Sequence, residues 1–169
     1  MPLKIKIEDT PTITSRGGEI NILISPGTVG SNHLVMGYSQ LNINERVTPH
    51  IHDYSEEAFF VLEGQGRIHF AQTSSRESHT SSRACEGSHE FSTMPQLGDR
   101  DDVKSEQPCA EDDFIDFKQG DAVLVPKGKA HWIENTGSQI MKVIFAVSPL
   151  APTPGAGHRE VELNQKEYV

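Results

Sequence analysis

Apolar residues in this chain come in short runs of five to ten positions rather than in long stripes. "EINILIS" (Glu19–Ser25), "LVMGYSQLNI" (Leu34–Ile43), "AFFVLE" (Ala58–Glu63) and "RIHFA" (Arg67–Ala71) precede residue 72. "DAVLVP" (Asp121–Pro126), "HWIEN" (His131–Asn135) and "QIMKVIFAV" (Gln139–Val147) follow residue 113. They are rich in β-branched and aromatic side chains, and glycine or proline punctuates them: Gly17-Gly18, Pro26-Gly27, Gly64, Gly66, Gly120, Gly128 and Gly137. That rhythm predicts strands joined by turns, and no segment carries the spacing of an amphipathic helix. Many short strands at regular intervals predict an all-β sandwich or barrel.

The pattern breaks between Gln72 and Asp113, where Ser, Asp and Glu crowd out apolar residues. This stretch holds four basic and ten acidic residues, a net −6 out of −9 for the whole chain. A segment so polar cannot bury enough apolar surface to offset the entropy of ordering it. It is expected to be a long mobile loop inserted into one domain, with "RIHFA" before it and "FIDF" after it as neighbouring antiparallel strands. The tail from Pro149, "PLAPTPGAGHREVELNQKEYV", is rich in Pro and Gly and then polar, which predicts a surface course ending in a short strand.

The chemistry concentrates in "PHIHDYSEE", residues 49–57. In an extended strand, residues i and i+2 share a face, so His50 and His52 present two imidazoles side by side. A carboxylate follows. Glu56 and Glu57 are neighbours and must face opposite ways. Alternation with Phe59 and Val61 puts Glu57 on the inward side. A third imidazole is available in "GDAVLVPKGKAHWIEN": a strand ends at Pro126, Gly128 permits a tight turn, and His131 opens the return. If that strand lies opposite His50 and His52, three nitrogens and one oxygen converge, a donor set suited to a divalent metal with open positions.

With these residues the chain resembles the cupin superfamily. Its first motif, Gly-x5-His-x-His-x(3,4)-Glu-x6-Gly, is matched by Asn44, His50, His52, Glu57 and Gly64, with Asn44 in place of the usual glycine. Asparagine tolerates the left-handed conformation well enough to keep that turn. The second motif, Gly-x5-Pro-x-Gly-x2-His-x3-Asn, is matched by Gly120, Pro126, Gly128, His131 and Asn135 with every spacing kept. The resemblance implies a cupin double-stranded β-helix, a jelly-roll barrel with core residues about 34–71 and 114–147, and a metal held by His50, His52, Glu57 and His131. "RGGEINILISPGTVGSNHLVMGYSQL", "HIHDYSEEAFFVLEG" and "SPLAPTPGAGH" further resemble the small cupin polyketide cyclases of aromatic antibiotic pathways, of the tetracenomycin and resistomycin type.

That narrower resemblance implies aldol-type ring closure of a poly-β-ketone intermediate, with zinc as the favoured ion and Fe, Mn, Ni or Cu as alternatives. It also implies a homodimer. An acyl carrier protein is a candidate for presenting the substrate. A quercetinase-like dioxygenase uses the same ligand types, and a non-catalytic small-molecule-binding cupin would share the barrel. Candidates for the acid or base are Tyr54, at the expected pocket mouth, and His69, which is alternatively a fourth imidazole ligand or an ordinary barrel-lining histidine. His33 and His158 fall in expected loops within reach of a partner subunit. Trp132 reads as barrel packing, and Lys127 and Lys129 as solvated turn residues or a contact for an acidic carrier.

Charge and cysteine content narrow the field. A net charge of −9 disfavours nucleic acid and anionic membranes as partners. No run of about 18 apolar residues is present to span a bilayer. The start, "MPLKIKIEDT", does not read as a secretory signal, and Cys85 and Cys109 make no disulfide framework, so a cytoplasmic location is expected. Cys85 and Cys109, with His79 and His89, match no compact zinc spacing.

Overall fold

A computed structural model of the chain describes residues 3–71 and 114–162. The inserted segment, with His79, Cys85, His89 and Cys109, and the last residues of the tail lie outside the described residues.

Eleven strands are described: β1 (Thr12–Ile13), β2 (Glu19–Ile24), β3 (Val35–Leu41), β4 (His50–Ile51), β5 (Glu56–Glu63), β6 (Gln65–Ala71), β7 (Phe114–Lys118), β8 (Ala122–Val125), β9 (Ala130–Glu134), β10 (Met141–Ser148) and β11 (Arg159–Glu160). Two single 3-10 turns, Ile7–Asp9 and Pro154–Ala156, are the helical segments among the described residues. None of these is long and apolar enough to cross a membrane. The strands form two antiparallel sheets. One has six strands in the order β1-β2-β3-β10-β5-β8, and the other has five in the order β11-β4-β9-β6-β7.

The expected all-β architecture is therefore what folds. Each run read as a strand becomes one, with ends shifted by at most two residues. The hairpin expected across the insert is also formed, since β6 and β7 pair with His69 opposite Phe114. One expectation is corrected. The strand of His131 lies beside that of His50 rather than opposite it, because β4 and β9 pair directly with His50 in register with His131.

Side-chain alternation decides what each sheet buries. On β10, Met141 and Val143 are buried, and Phe145 packs against the same core. On β5, Phe59 and Val61 face inward. Together with Leu41, Val47, Ile68, Phe117 and Val125 they form one apolar cluster. Two turns are fixed by backbone geometry. Gly64 joins β5 to β6 at a φ of 82°, where an added Cβ would sit 2.9 Å from the Met141 Cα. Asn44 adopts a φ of 61°, so the turn that usually takes glycine is kept by a residue that tolerates it.

Asn135 closes the packed end of this body. Fully buried, it donates through Nδ2 to the carbonyl oxygens of Leu41 (3.1 Å), Asn42 (3.1 Å) and Gln139 (2.7 Å). Its Oδ1 accepts from the Gly137 N–H at 2.9 Å. The side chain thus ties the β3 exit to the β9–β10 turn and leaves no buried polar atom of its own unpaired.

Candidate metal centre

His50, His52, Glu57 and His131 are brought together. One potential ligand atom from each lies within 4.8 Å of all the others. His50 opens β4, His52 follows directly after its end, and both rings are buried. Glu57 enters from β5 in the other sheet, while its neighbour Glu56 is exposed, as alternation requires. Glu57 Oε2 lies 3.0 Å from His52 Nε2, 3.2 Å from His131 Nε2 and 3.8 Å from His50 Nε2.

Backbone carbonyls hold the other face of each ring. His50 Nδ1 is 2.8 Å from the Thr48 oxygen, His52 Nδ1 is 2.6 Å from that of Gly157, and His131 Nδ1 is 2.9 Å from that of Lys129. A carbonyl can only accept, so each Nδ1 carries the proton. In the neutral tautomer each Nε2 then offers a lone pair to the centre. Three lone pairs within 3.8 Å of a carboxylate oxygen repel it unless positive charge sits among them. Protons or a metal ion can provide it. This donor set, with each ring oriented from behind, fits a divalent ion.

The titration behaviour carries the same signature. Burial pushes the Glu57 pKa up, but hydrogen bonds from His131, His50 and His52 outweigh it and hold the carboxyl well below its ordinary range. Burial pulls the His52 pKa down, yet the Glu57 carboxylate and the Gly157 carbonyl prevail and raise it. The centre therefore favours an ionised Glu57 beside a His52 that holds its proton more readily than usual.

The cluster forms part of the wall of a cavity of about 650 Å³ whose lining is mostly apolar, including Ile22, Val47, Phe59, Ile133 and Phe145. Arg16 also lines it and reaches His52 and His158 electrostatically. The tail supplies another part of the wall. Leu150 to Pro154, Gly157 and His158 line the cavity, whereas the sequence suggested a surface course. Three ties hold this strap. The Ser55 hydroxyl donates to the Pro149 carbonyl, β11 pairs with β4, and Arg159 forms two 2.9 Å contacts with the Asp53 carboxylate.

His158 is accordingly reassigned. The sequence placed it in a loop reaching a partner subunit. In the structure its ring stacks on His50 with centroids 4.4 Å apart and lines the chain's own cavity. Burial, reinforced by the positive character of His50 and Arg16, lowers its pKa to about 3. The only sequence signal was the Gly157-His158 pair closing a Pro-rich tail, and nothing local to it revealed that β11 returns to β4.

Tyr54 and His69 are not brought to the cluster. Tyr54 is 45% exposed and does not line the cavity, because the chain bends outward after His52 before Ser55 turns back in. His69 lies on β6 between the inward Ile68 and Phe70, so it faces the opposite side of the sheet. There it stacks on Trp132 at 4.7 Å and contacts Glu134 at 3.2 Å. Trp132 is buried on that face and does not line the cavity. Lys127, Lys129 and His33 are exposed.

Comparison with known proteins agrees with this geometry. The chain is 27% identical over 158 residues to Protein SchB of Streptomyces halstedii, covering 94% of this chain and 86% of that protein. It is 26% identical over 159 residues to the tetracenomycin polyketide synthase protein TcmJ of Streptomyces glaucescens, covering 94% and 80%. Its fold is similar to that of the polyketide cyclase RemF from Streptomyces resistomycificus, with a TM-score of 0.57 at 15% identity over 99% of this chain and 91% of that one. The Cupin family model matches residues 4–153, which takes in every described strand except β11 and all four converging side chains. With its two antiparallel sheets closed around a three-histidine, one-glutamate centre, the chain belongs to the cupin family.

Proposed function

We propose that the protein is a metal-dependent cyclase that closes a ring in a poly-β-ketone intermediate of an aromatic antibiotic pathway. The observation that carries this reading is the pairing of the His50, His52, Glu57 and His131 cluster with a mostly apolar cavity of about 650 Å³. Similarity to TcmJ along most of both chains supports the substrate class. Zinc is the proposed ion, because three imidazoles and one carboxylate suit it.

An aldol closure needs an enolate carbon and a polarised carbonyl held within reach of each other. A divalent ion at this centre would supply Lewis-acid stabilisation of the oxygen charge that develops. His50, His52 and His131 would hold it through Nε2, each ring fixed from behind by its carbonyl. Glu57 adds the anionic ligand and lowers the net charge of the centre. Phe59, Val143, Phe145 and Ile133 exclude water and restrict the folded chain to a few conformations, which raises the effective concentration of the reacting carbons. His158, neutral near pH 7, closes the wall beside His50 without adding positive charge. Presentation by an acyl carrier protein and action as a homodimer are part of the same proposal.

The test pairs metal analysis with turnover. Protein purified without added metal is expected to carry about one zinc per chain. It is expected to convert a poly-β-ketone thioester to a cyclised product in a glove box, since aldol closure consumes no oxygen. Turnover that stops without oxygen and returns on admission of air would overturn the cyclase reading in favour of an oxygenase.

A further inference from the structure

Ser39 is the one described residue whose buried side-chain polar atom has no hydrogen-bond partner. It is 3% exposed, and it lines the cavity. Other buried polar groups of the centre have partners. The three ligand imidazoles bond to carbonyls, and the Ser55 hydroxyl bonds to Pro149. An unpaired hydroxyl taken out of water is costly, and it persists in native structures where it has work to do.

Its setting is apolar on both sides. In register, Ser39 pairs with Ile20 on β2 and with Val143 on β10, and both of these line the cavity too. Two residues earlier on the same face, Gly37 leaves room for the Phe145 ring, which would lie 2.3 Å from an added Cβ. A buried strand position between apolar neighbours ordinarily takes a β-branched apolar residue such as valine. A lone hydroxyl in such a wall is a polar contact placed where a ligand's own polar atom arrives.

The register also gives its distance from the metal centre. Val147 on β10 pairs with both Glu57 and Val35, whereas Val143 pairs with Ser39. Ser39 is therefore four residues along the sheet from the row that carries Glu57, which is about 13 Å in the strand direction. The ground between them is covered by Phe59, Phe145 and Val143. A molecule that engages both ends is elongated and largely apolar, with a chelating keto–enol pair at one end and a second oxygen at the other.

We infer that Ser39 is a specificity-determining residue, whose hydroxyl bonds the distal oxygen of an elongated, multiply oxygenated ligand held by the metal centre at its other end. This rests on the reading of the cavity as a metal-assisted polyketide site and adds to it the length of the ligand and the place of its second oxygen.

Two rigid flavonols serve as probes. 3-Hydroxyflavone chelates metal through its 3-hydroxyl and 4-keto oxygens, and 3,4′-dihydroxyflavone carries one more oxygen at the far end of the same scaffold. Fluorescence titration of the zinc-loaded protein without oxygen is expected to show the dihydroxy compound binding about 3–10-fold tighter, the value of one hydrogen bond. Ser39→Ala should abolish that preference while leaving 3-hydroxyflavone affinity within about twofold, and Ser39→Thr should retain it. In the ligand-free protein, Ser39→Ala should raise the melting temperature by about 2–4 °C, because it removes an unpaired buried hydroxyl. A serine that merely holds the fold would lower it. Equal wild-type affinity for the two probes, or a preference that survives Ser39→Ala, overturns the inference about Ser39 alone. Failure of both probes to bind the zinc-loaded protein overturns the reading of the cavity and this inference with it.

Discussion

The two ends of the barrel interior are built from the same strands and behave as opposites. At one end Leu41, Val61, Ile68 and Met141 are fully buried against one another, and Asn135 satisfies three carbonyls. At the other end, β3, β5 and β10 carry Ser39, Glu57 and Phe145 around an open cavity. Apolar contact and paired hydrogen bonds hold the first end together. The second keeps one carboxylate among three imidazoles and one hydroxyl with no partner. The unpaired hydroxyl and the crowded titratable groups thus lie at the open end, and the packed end supplies the stability that permits them. The contrast yields four predictions.

The largest effect is expected at the packed end. Leu41→Ala removes a side chain with no exposed surface from the centre of the core, and should cost about 2–5 kcal/mol of stability. The number of metal ions bound per folded molecule should not change. Chemical denaturation with metal analysis of the folded fraction checks both. Loss of metal from well-folded Leu41→Ala protein would show that the two ends are not independent.

His131→Ala makes the reciprocal cut. One of four converging donors is lost, so zinc affinity should fall by more than the roughly 10–100-fold that an outer partner typically contributes. The apo protein should stay folded, since His52 and His50 still face the Glu57 carboxylate. Competition against a chromophoric chelator measures the affinity, and unchanged affinity would remove His131 from the ligand set.

The ends differed in legibility for a physical reason. Strands and the four converging side chains were readable because alternation and motif spacing are local. His50 and His52 share a face by the geometry of one strand, and Glu57 over Glu56 followed from Phe59 and Val61. Ser39, Arg16 and His158 were not readable as cavity residues. Their position depends on which strands become neighbours and on the return of β11 to β4, and sequence separations of about a hundred residues leave no local trace. Tyr54 and His69 show the converse. Both sit near the motif in sequence, but a bend and a single step of alternation turn them away from the cavity.

Acidification should separate the ends by a smaller margin. An unfolded imidazole titrates near 6.5, while the folded His158 ring titrates at about 3, held down mainly by burial. Between those values the unfolded chain binds a proton that the folded ring refuses, so apo-protein stability rises with pH across this window. Glu57 acts in the same sense at lower pH: its contribution is present above the ordinary carboxylate range and is lost as pH falls through its depressed folded value. Discounted for the partial solvent access of its ring, the His158 share is about 1–2 kcal/mol. Thermal unfolding of apo protein from pH 7 to pH 4 should show the decline, and His158→Gln should flatten it. A variant with the parent's full slope would place the titrating group elsewhere.

The smallest global effect is expected from Arg159→Ala, and it sharpens the comparison most locally. The Arg159–Asp53 pair lies at the surface, where such a pair contributes only about 0.2–1 kcal/mol. Melting temperature should barely move. Yet this contact lies within the two-residue ladder that seats the strap on the strand of His50, beside the Val161 N–H bonded to the Pro49 carbonyl at 3.0 Å. Loss of it should speed hydrogen exchange at Val161 while leaving the amides of β10 as protected as before, because local opening draws on local contacts. The Gly157 carbonyl that orients His52 belongs to the same strap, so zinc affinity should fall by a few-fold, less than for the loss of a ligand. Faster exchange spreading into β10 would mean that the strap and the packed core open as one unit, and the division between the two ends would fail.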